Sequence, residues 1–132
     1  MNIIKYIGLP YKVNGSVPDG ADCWTLVKAF SKNELGLDLP AFFYDEESLI
    51  NDASKYIENE THFGRRWTKI DEPNIGDVLI FRIRGIASHC GIYVGNGDFL
   101  HTLKGRNSTC EILDGAWKQC LVGIYRWCPD NV

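Results

Sequence analysis

The sequence predicts an α+β fold, with N-terminal helices packed on a small curved antiparallel sheet or barrel of five to six strands. Two observations carry this. Apolar residues in the first half recur every three or four positions, the period of a helix. From Trp67 onward they fall instead into short runs separated by turn residues, the pattern of a strand meander.

The elements follow in order. Residues 3–13 form a short apolar piece broken by Gly8-Leu9-Pro10, and residues 14–20 (NGSVPDG) are dense enough in Gly, Pro, Asn and Asp to be a loop. A helix starts next. Asp22 is a good N-cap, Cys23, Leu26, Val27 and Phe30 make one apolar stripe, Gly36 stands where a left-handed glycine ends a helix, and Pro40 confirms the break. A second helix is predicted over 46–58, from the stripe Leu49, Ile50, Ala53, Tyr56, Ile57 and an acidic start suited to the positive helix end. Strands are predicted at 67–70, 77–82, 89–94, 99–102, 109–113 and 122–127. Gly95-Asn96-Gly97-Asp98 is a hairpin signal between the third and fourth.

The bulk properties bound the function. With 132 residues, no internal repeat and no linker, the chain is expected to be a single domain over 1–132. A hydrophobic share of 45% and a charged share of 23% are those of a globular protein. The net charge of -3 gives no general pull toward nucleic acid or anionic membrane. No signal sequence and no membrane span are evident, so folding in a cytoplasm is expected. The cysteine count is five, an odd number, which disfavours a disulfide framework, and no Cys or His pair has zinc-finger spacing.

The chemistry centres on Cys23. A cysteine on an apolar helix face is often a small buried hydrophobe. This one lies in the first helical turn, where unpaired N–H groups and the helix dipole favour a thiolate. A thiolate nucleophile needs a base. His89 starts a predicted strand whose alternation puts His89, Gly91 and Tyr93 on one face and Cys90, Ile92 and Val94 on the other, the apolar set being the core side. Cys90 is then core filler, and Gly91 leaves room beside His89. The 95–98 hairpin returns His101 to the neighbourhood of His89, where a third polar group accepting the His89 ring N–H fixes its orientation. Two histidines so paired are also a partial metal site, lacking a good third ligand.

At these residues the sequence resembles the NlpC/P60 family of papain-like cell-wall peptidases. Gly8-Leu9-Pro10-Tyr11 is similar to the family's G-x-P-Y segment, and Asp22-Cys23-Trp24-Thr25-Leu26-Val27 to its D-C-x-x-L-V block. The stretch Pro73-Asn74-Ile75-Gly76-Asp77-Val78 resembles P-x-x-G-D before a strand. His89-Cys90-Gly91-Ile92-Tyr93-Val94-Gly95 resembles H-V-G-I-Y-x-G, and His101 stands at the third polar position. Trp24-Thr25 replaces the common Ser-Gly. Cys23-Trp24, the stretch from Leu35 to Pro40, Trp117 and Gly123-Ile124-Tyr125-Arg126 are similar to the branch found in tail-assembly proteins of tailed bacteriophages.

The resemblance implies a cysteine peptidase that cuts peptidoglycan stem peptides next to D-glutamate through an acyl-enzyme, without metal or cofactor. Cys23 would be nucleophile, His89 base and His101 the orienting residue. The Cys23 N–H and the Tyr11 hydroxyl would meet the oxyanion, although Tyr11 beside Pro10 is equally a core tyrosine. Asp22 is expected to be an N-cap rather than a catalytic acid. The phage likeness implies a protein made in the bacterial host cytoplasm and carried in the virion tail, with tail-tip proteins as partners; 42–63 is a candidate contact surface, although its apolar stripe reads more simply as an amphipathic helix covering the sheet. Two other readings use the same residues: a mainly structural tail protein, and a cysteine amidase or acyltransferase acting away from the wall.

Overall fold

Helix α1 (Cys23–Leu35) starts at the predicted N-cap. The Asp22 carboxylate accepts the Thr25 N–H at 2.9 Å, and the Thr25 hydroxyl oxygen accepts the Asp22 N–H at 2.9 Å, a reciprocal capping box. Gly36, at φ 68°, ends the helix in the left-handed region. The computed structural model describes residues 1–40 and 66–129, the side chains of 86–88 excepted. The predicted helix over 46–58 and the contact surface expected at 42–63 lie outside the described residues.

The other elements are a 3-10 turn (Ile4–Tyr6), strands β1 (Trp67–Ile70), β2 (Val78–Ile83), β3 (Ile86–Gly95), β4 (Asp98–His101) and β5 (Thr109–Ile112), a short helix α2 (Gly115–Gln119), and β6 (Leu121–Trp127). The strands form one antiparallel sheet in the order β1-β6-β2-β3-β4-β5. Among the described residues it is open, with β1 and β5 as its edges, so of the two expected forms these residues make the sheet and not the barrel. The predicted hairpin is present: Gly95 pairs with Asp98 across Asn96 and Gly97, both at positive φ as a tight two-residue turn requires. Strand β3 begins three residues before its predicted start. Arg84 and Gly85, at φ 53° and 78°, make a second tight hairpin that joins it to β2. An Arg-Gly pair is a weaker turn signal than Asn-Gly, which is why the sequence did not reveal it.

Both faces of the sheet are covered. On one, Val78, Ile80, Cys90, Ile92, Val94 and Leu100 pack with Leu26, Val27 and Phe30 of α1. On the other, Leu79, Phe81, Phe99 and Ile124 pack with Trp117 of α2. At about 25 cal/mol per Å² of apolar surface, such burial is the main favourable term holding helix to sheet.

Two buried polar links tie neighbouring segments together. Ser108, 2% exposed, accepts the Leu9 N–H at 2.9 Å and donates to the Tyr6 carbonyl at 2.6 Å, which ties the N-terminal segment to the approach to β5. Asp77, also 2% exposed, takes a two-pronged contact from Arg126 (Nε to Oδ1 2.9 Å, Nη2 to Oδ2 2.8 Å) and the Asn74 N–H at 2.8 Å. The Asp of the G-D pair thus locks β2 to β6 and is structural.

Asp77→Ala should therefore destabilise the protein by about 2 kcal/mol. This is less than a wholly buried pair would lose, because the Arg126 side chain, 36% exposed, regains water. Urea denaturation should show a lower midpoint at unchanged slope; an unchanged midpoint would show that this link carries no stability.

Candidate active site

The capping box puts Cys23 at the first position of α1. Its N–H is one of the first-turn donors that have no acceptor within a helix. The loop before it is held from two sides. Asp22 accepts the Asn14 N–H at 2.7 Å through its second oxygen, and Tyr11 and Ala21 form a short parallel bridge. The residue is nearly enclosed, at 2% exposure.

Two consecutive residues of β3 reach the Cys23 sulfur. The Cys90 thiol and the His89 ring both hydrogen-bond it, and with the charge of His89 they bring its pKa down from 9.0 to about 6. Burial and the Asp22 carboxylate push the other way. Burial, and then the neighbouring Cys23, hold the Cys90 thiol well above its usual value. Cys90 thus stays a donor and Cys23 becomes the thiolate. Strand alternation placed Cys90 correctly in the layer beneath α1, but it is more than filler, because it contacts the nucleophile.

His89 lies on the opposite face of β3 from Cys90, as expected, yet it does not face solvent. It is 1% exposed, with its ring centroid 5.8 Å from those of both Phe81 and Trp117. The correction has a simple cause: the five-residue helix α2 and its Trp117 cover that face, and a helix so short leaves no periodicity in the sequence. His89 Nε2 is 2.8 Å from His101 Nδ1, so the hairpin brings the two histidines together as predicted. Gly91 makes this approach possible. A Cβ there would come within 3.0 Å of the Phe99 ring, 3.1 Å of the Leu100 carbonyl oxygen and 3.3 Å of the His101 Cβ.

The row of polar groups does not end at His101. Its Nε2 lies 2.5 Å from Glu111 Oε2 on β5. Burial first, then the charge of His89, lowers the His101 pKa to about 4 despite the opposing pull of Glu111, so His101 is neutral at pH 7. Glu111 was missed in the sequence. The signal was there: β5 alternation sets Thr109 and Glu111 on one face, and Thr109 pairs with His101. The two histidines bond to each other rather than converge on a common point. Among the described residues no group of three His, Cys, Asp or Glu could hold a metal.

Tyr11 lines a cavity of about 510 Å³ with Lys12, Lys104 and Arg106. Cys23 and His89 are not in its wall. Arg106 connects the two regions, since it also lines a small cavity of about 20 Å³ beside His101 and Glu111.

The chain's likeness to known proteins runs over the same elements. The model of the NlpC/P60 family matches residues 8–126. The chain is 28% identical over 94 residues to the murein DD-endopeptidase MepS/murein LD-carboxypeptidase of Escherichia coli strain K12, a match covering 71% of this chain and 42% of that protein. It is 33% identical to the gamma-DL-glutamyl hydrolase of Bacillus subtilis strain 168, covering 97% of this chain and 28% of that protein. It thus spans less than half of either relative. Among solved structures, an NlpC/P60 family protein from Bacillus cereus superposes with a TM-score of 0.64 at 21% identity, over 94% of this chain and 37% of that one. The NlpC/p60 domain of the peptidoglycan hydrolase SagA does so with a TM-score of 0.60 at 20% identity, over 93% of this chain and 91% of that one. The cysteine at a helix start, the histidine on the facing strand, the open sheet and a family match over residues 8–126 agree: the chain belongs to the NlpC/P60 family.

Proposed function

We propose that this chain is a cysteine-dependent amide hydrolase that cleaves peptidoglycan stem peptides next to D-glutamate through an acyl-enzyme, with residues 1–132 acting as one catalytic domain. The observation that carries this reading is the Cys23 sulfur at a helix start beside the His89 ring, which with Cys90 lowers the thiol pKa, and His101 bonded to the far side of that ring. In the reacting pair His89 takes the proton of the Cys23 thiol. The thiolate attacks the scissile carbonyl, and the oxyanion meets the Cys23 N–H, with the Tyr11 hydroxyl as second donor. His89 protonates the leaving amine, then takes a proton from the water that hydrolyses the thioester. His101 accepts the Nε2–H of His89 and holds the ring in place.

Two facts support the substrate class. The relatives are named for murein and for gamma-DL-glutamyl bonds. The cavity beside Tyr11 is flanked by Lys12, Lys104 and Arg106, a lining suited to a peptide rich in carboxylates. The finer placement we propose is a bacteriophage tail, reached from the host cytoplasm through binding to tail-tip proteins. It rests on the likeness of Cys23-Trp24, the stretch from Leu35 to Pro40, Trp117 and Gly123-Ile124-Tyr125-Arg126 to the tail-assembly branch.

Zymography on peptidoglycan, with mass analysis of the fragments, should show hydrolysis by the wild-type chain and none by Cys23→Ala or His89→Ala. His101→Ala should keep a residue of activity, and His101→Gln more than His101→Ala, because an orienting group contributes less than the base it orients. Near-full activity in His89→Ala would refute the assignment. Mass spectrometry of purified virions tests the placement: the chain should be a particle component, and its presence only as free enzyme in the lysate would remove the tail role.

A further inference from the structure

We propose that Glu111 is a positioning residue that sets the direction of the hydrogen-bond relay running from β5 to the nucleophile. The inference rests on the assignment of Cys23 and His89 above and adds a fourth member to it. Four groups lie in series: Glu111 Oε2 is 2.5 Å from His101 Nε2, His101 Nδ1 is 2.8 Å from His89 Nε2, and the His89 ring bonds the Cys23 sulfur.

The direction follows from donor and acceptor counting. A neutral imidazole has one N–H and one lone pair. An ionised carboxylate only accepts, so Glu111 requires the His101 proton on Nε2 and leaves Nδ1 as a lone pair. That lone pair must receive a proton from His89, which places the His89 proton on Nε2. Nδ1 of His89 is then left with the lone pair that takes the proton of the Cys23 thiol. With the other tautomer of His101, every step reverses: His101 Nδ1–H would donate to His89 Nε2, the neutral His89 would carry its proton on Nδ1, and no base would face the sulfur.

His101 cannot settle this alone, because burial keeps it neutral and a neutral ring has two tautomers of similar energy. Two rings that take no strong hydrogen bond pack against it, with centroids at 4.7 Å for Phe99 and 4.8 Å for Trp117, and the charge of Arg106 also acts on it. Glu111 is the carboxylate in contact with it. At 38% side-chain exposure on an edge strand, Glu111 can be replaced without opening the core.

The test combines nitrogen-15 NMR of the histidine rings with kinetics, in the whole chain, for wild type, Glu111→Gln and Glu111→Ala. In the wild type His101 should carry its proton on Nε2. Glu111→Gln, whose amide oxygen still accepts, should keep that tautomer and most of the activity. Glu111→Ala should give mixed tautomers, a roughly tenfold loss of kcat at little-changed KM, and slower alkylation of Cys23 by iodoacetamide at neutral pH. If Glu111→Ala leaves tautomer, kcat and alkylation at wild-type values, the relay is overturned. If no wall peptide is cut while tautomer and alkylation still respond to Glu111, the relay stands and the substrate reading falls.

Discussion

Asp22 holds the structure around the nucleophile together. Its carboxylate is at once the cap of α1 and the anchor of the preceding loop, through the Thr25 and Asn14 N–H groups. It is 0% exposed, so each of these bonds replaces water that the group has lost. An N-cap of this kind contributes about 1 kcal/mol to the helix. Its larger consequence is geometric. With Asp22 fixed, Cys23 has to be the first helical residue, its sulfur has to meet β3, and the loop that carries Tyr11 has to return alongside.

The same carboxylate works against the chemistry. A buried negative charge next to Cys23 raises the thiol pKa, as does the burial itself. The site overcomes both with two neighbours on one strand: Cys90, which donates a thiol proton, and His89, which donates and carries charge. Here packing and reactivity are set by the same contact, because docking α1 on the sheet brings the sulfur to both residues. The two histidine rings pack against those of Phe81, Phe99 and Trp117. A sparse apolar setting of that kind strengthens each hydrogen bond inside it and makes its direction matter.

Much of this was legible in the sequence, and what was not has physical causes. Asp22 and Gly36 bound α1 because capping is local chemistry, written in single residues. The 95–98 turn announced itself by Asn and Gly, and with strand alternation it was enough to bring His101 to His89. The turn at Arg84-Gly85 and the helix Gly115–Gln119 were not legible, since one lacks a strong turn pair and the other is too short to show a period. From the second omission came the error about His89, whose face is covered by Trp117. Cys90 and Glu111 were passed over for another reason. Alternation gives the face of each, but whether a side chain there meets Cys23 or His101 depends on how helix and edge strand dock, which is a tertiary fact. The family likeness supplied the order of the motifs and could not supply these two contacts, which belong to this chain's own residues.

The central claim is that Cys23 is ionised at neutral pH because His89 and Cys90 stabilise its thiolate. The most direct measurement is a titration of thiolate ultraviolet absorbance in the folded chain, with Cys23→Ser and His89→Ala alongside. One thiolate should appear near pH 6, vanish in Cys23→Ser, and move upward in His89→Ala. A wild-type chain in which all five cysteines titrate at or above about 8.5, the value of a free thiol, would contradict the account.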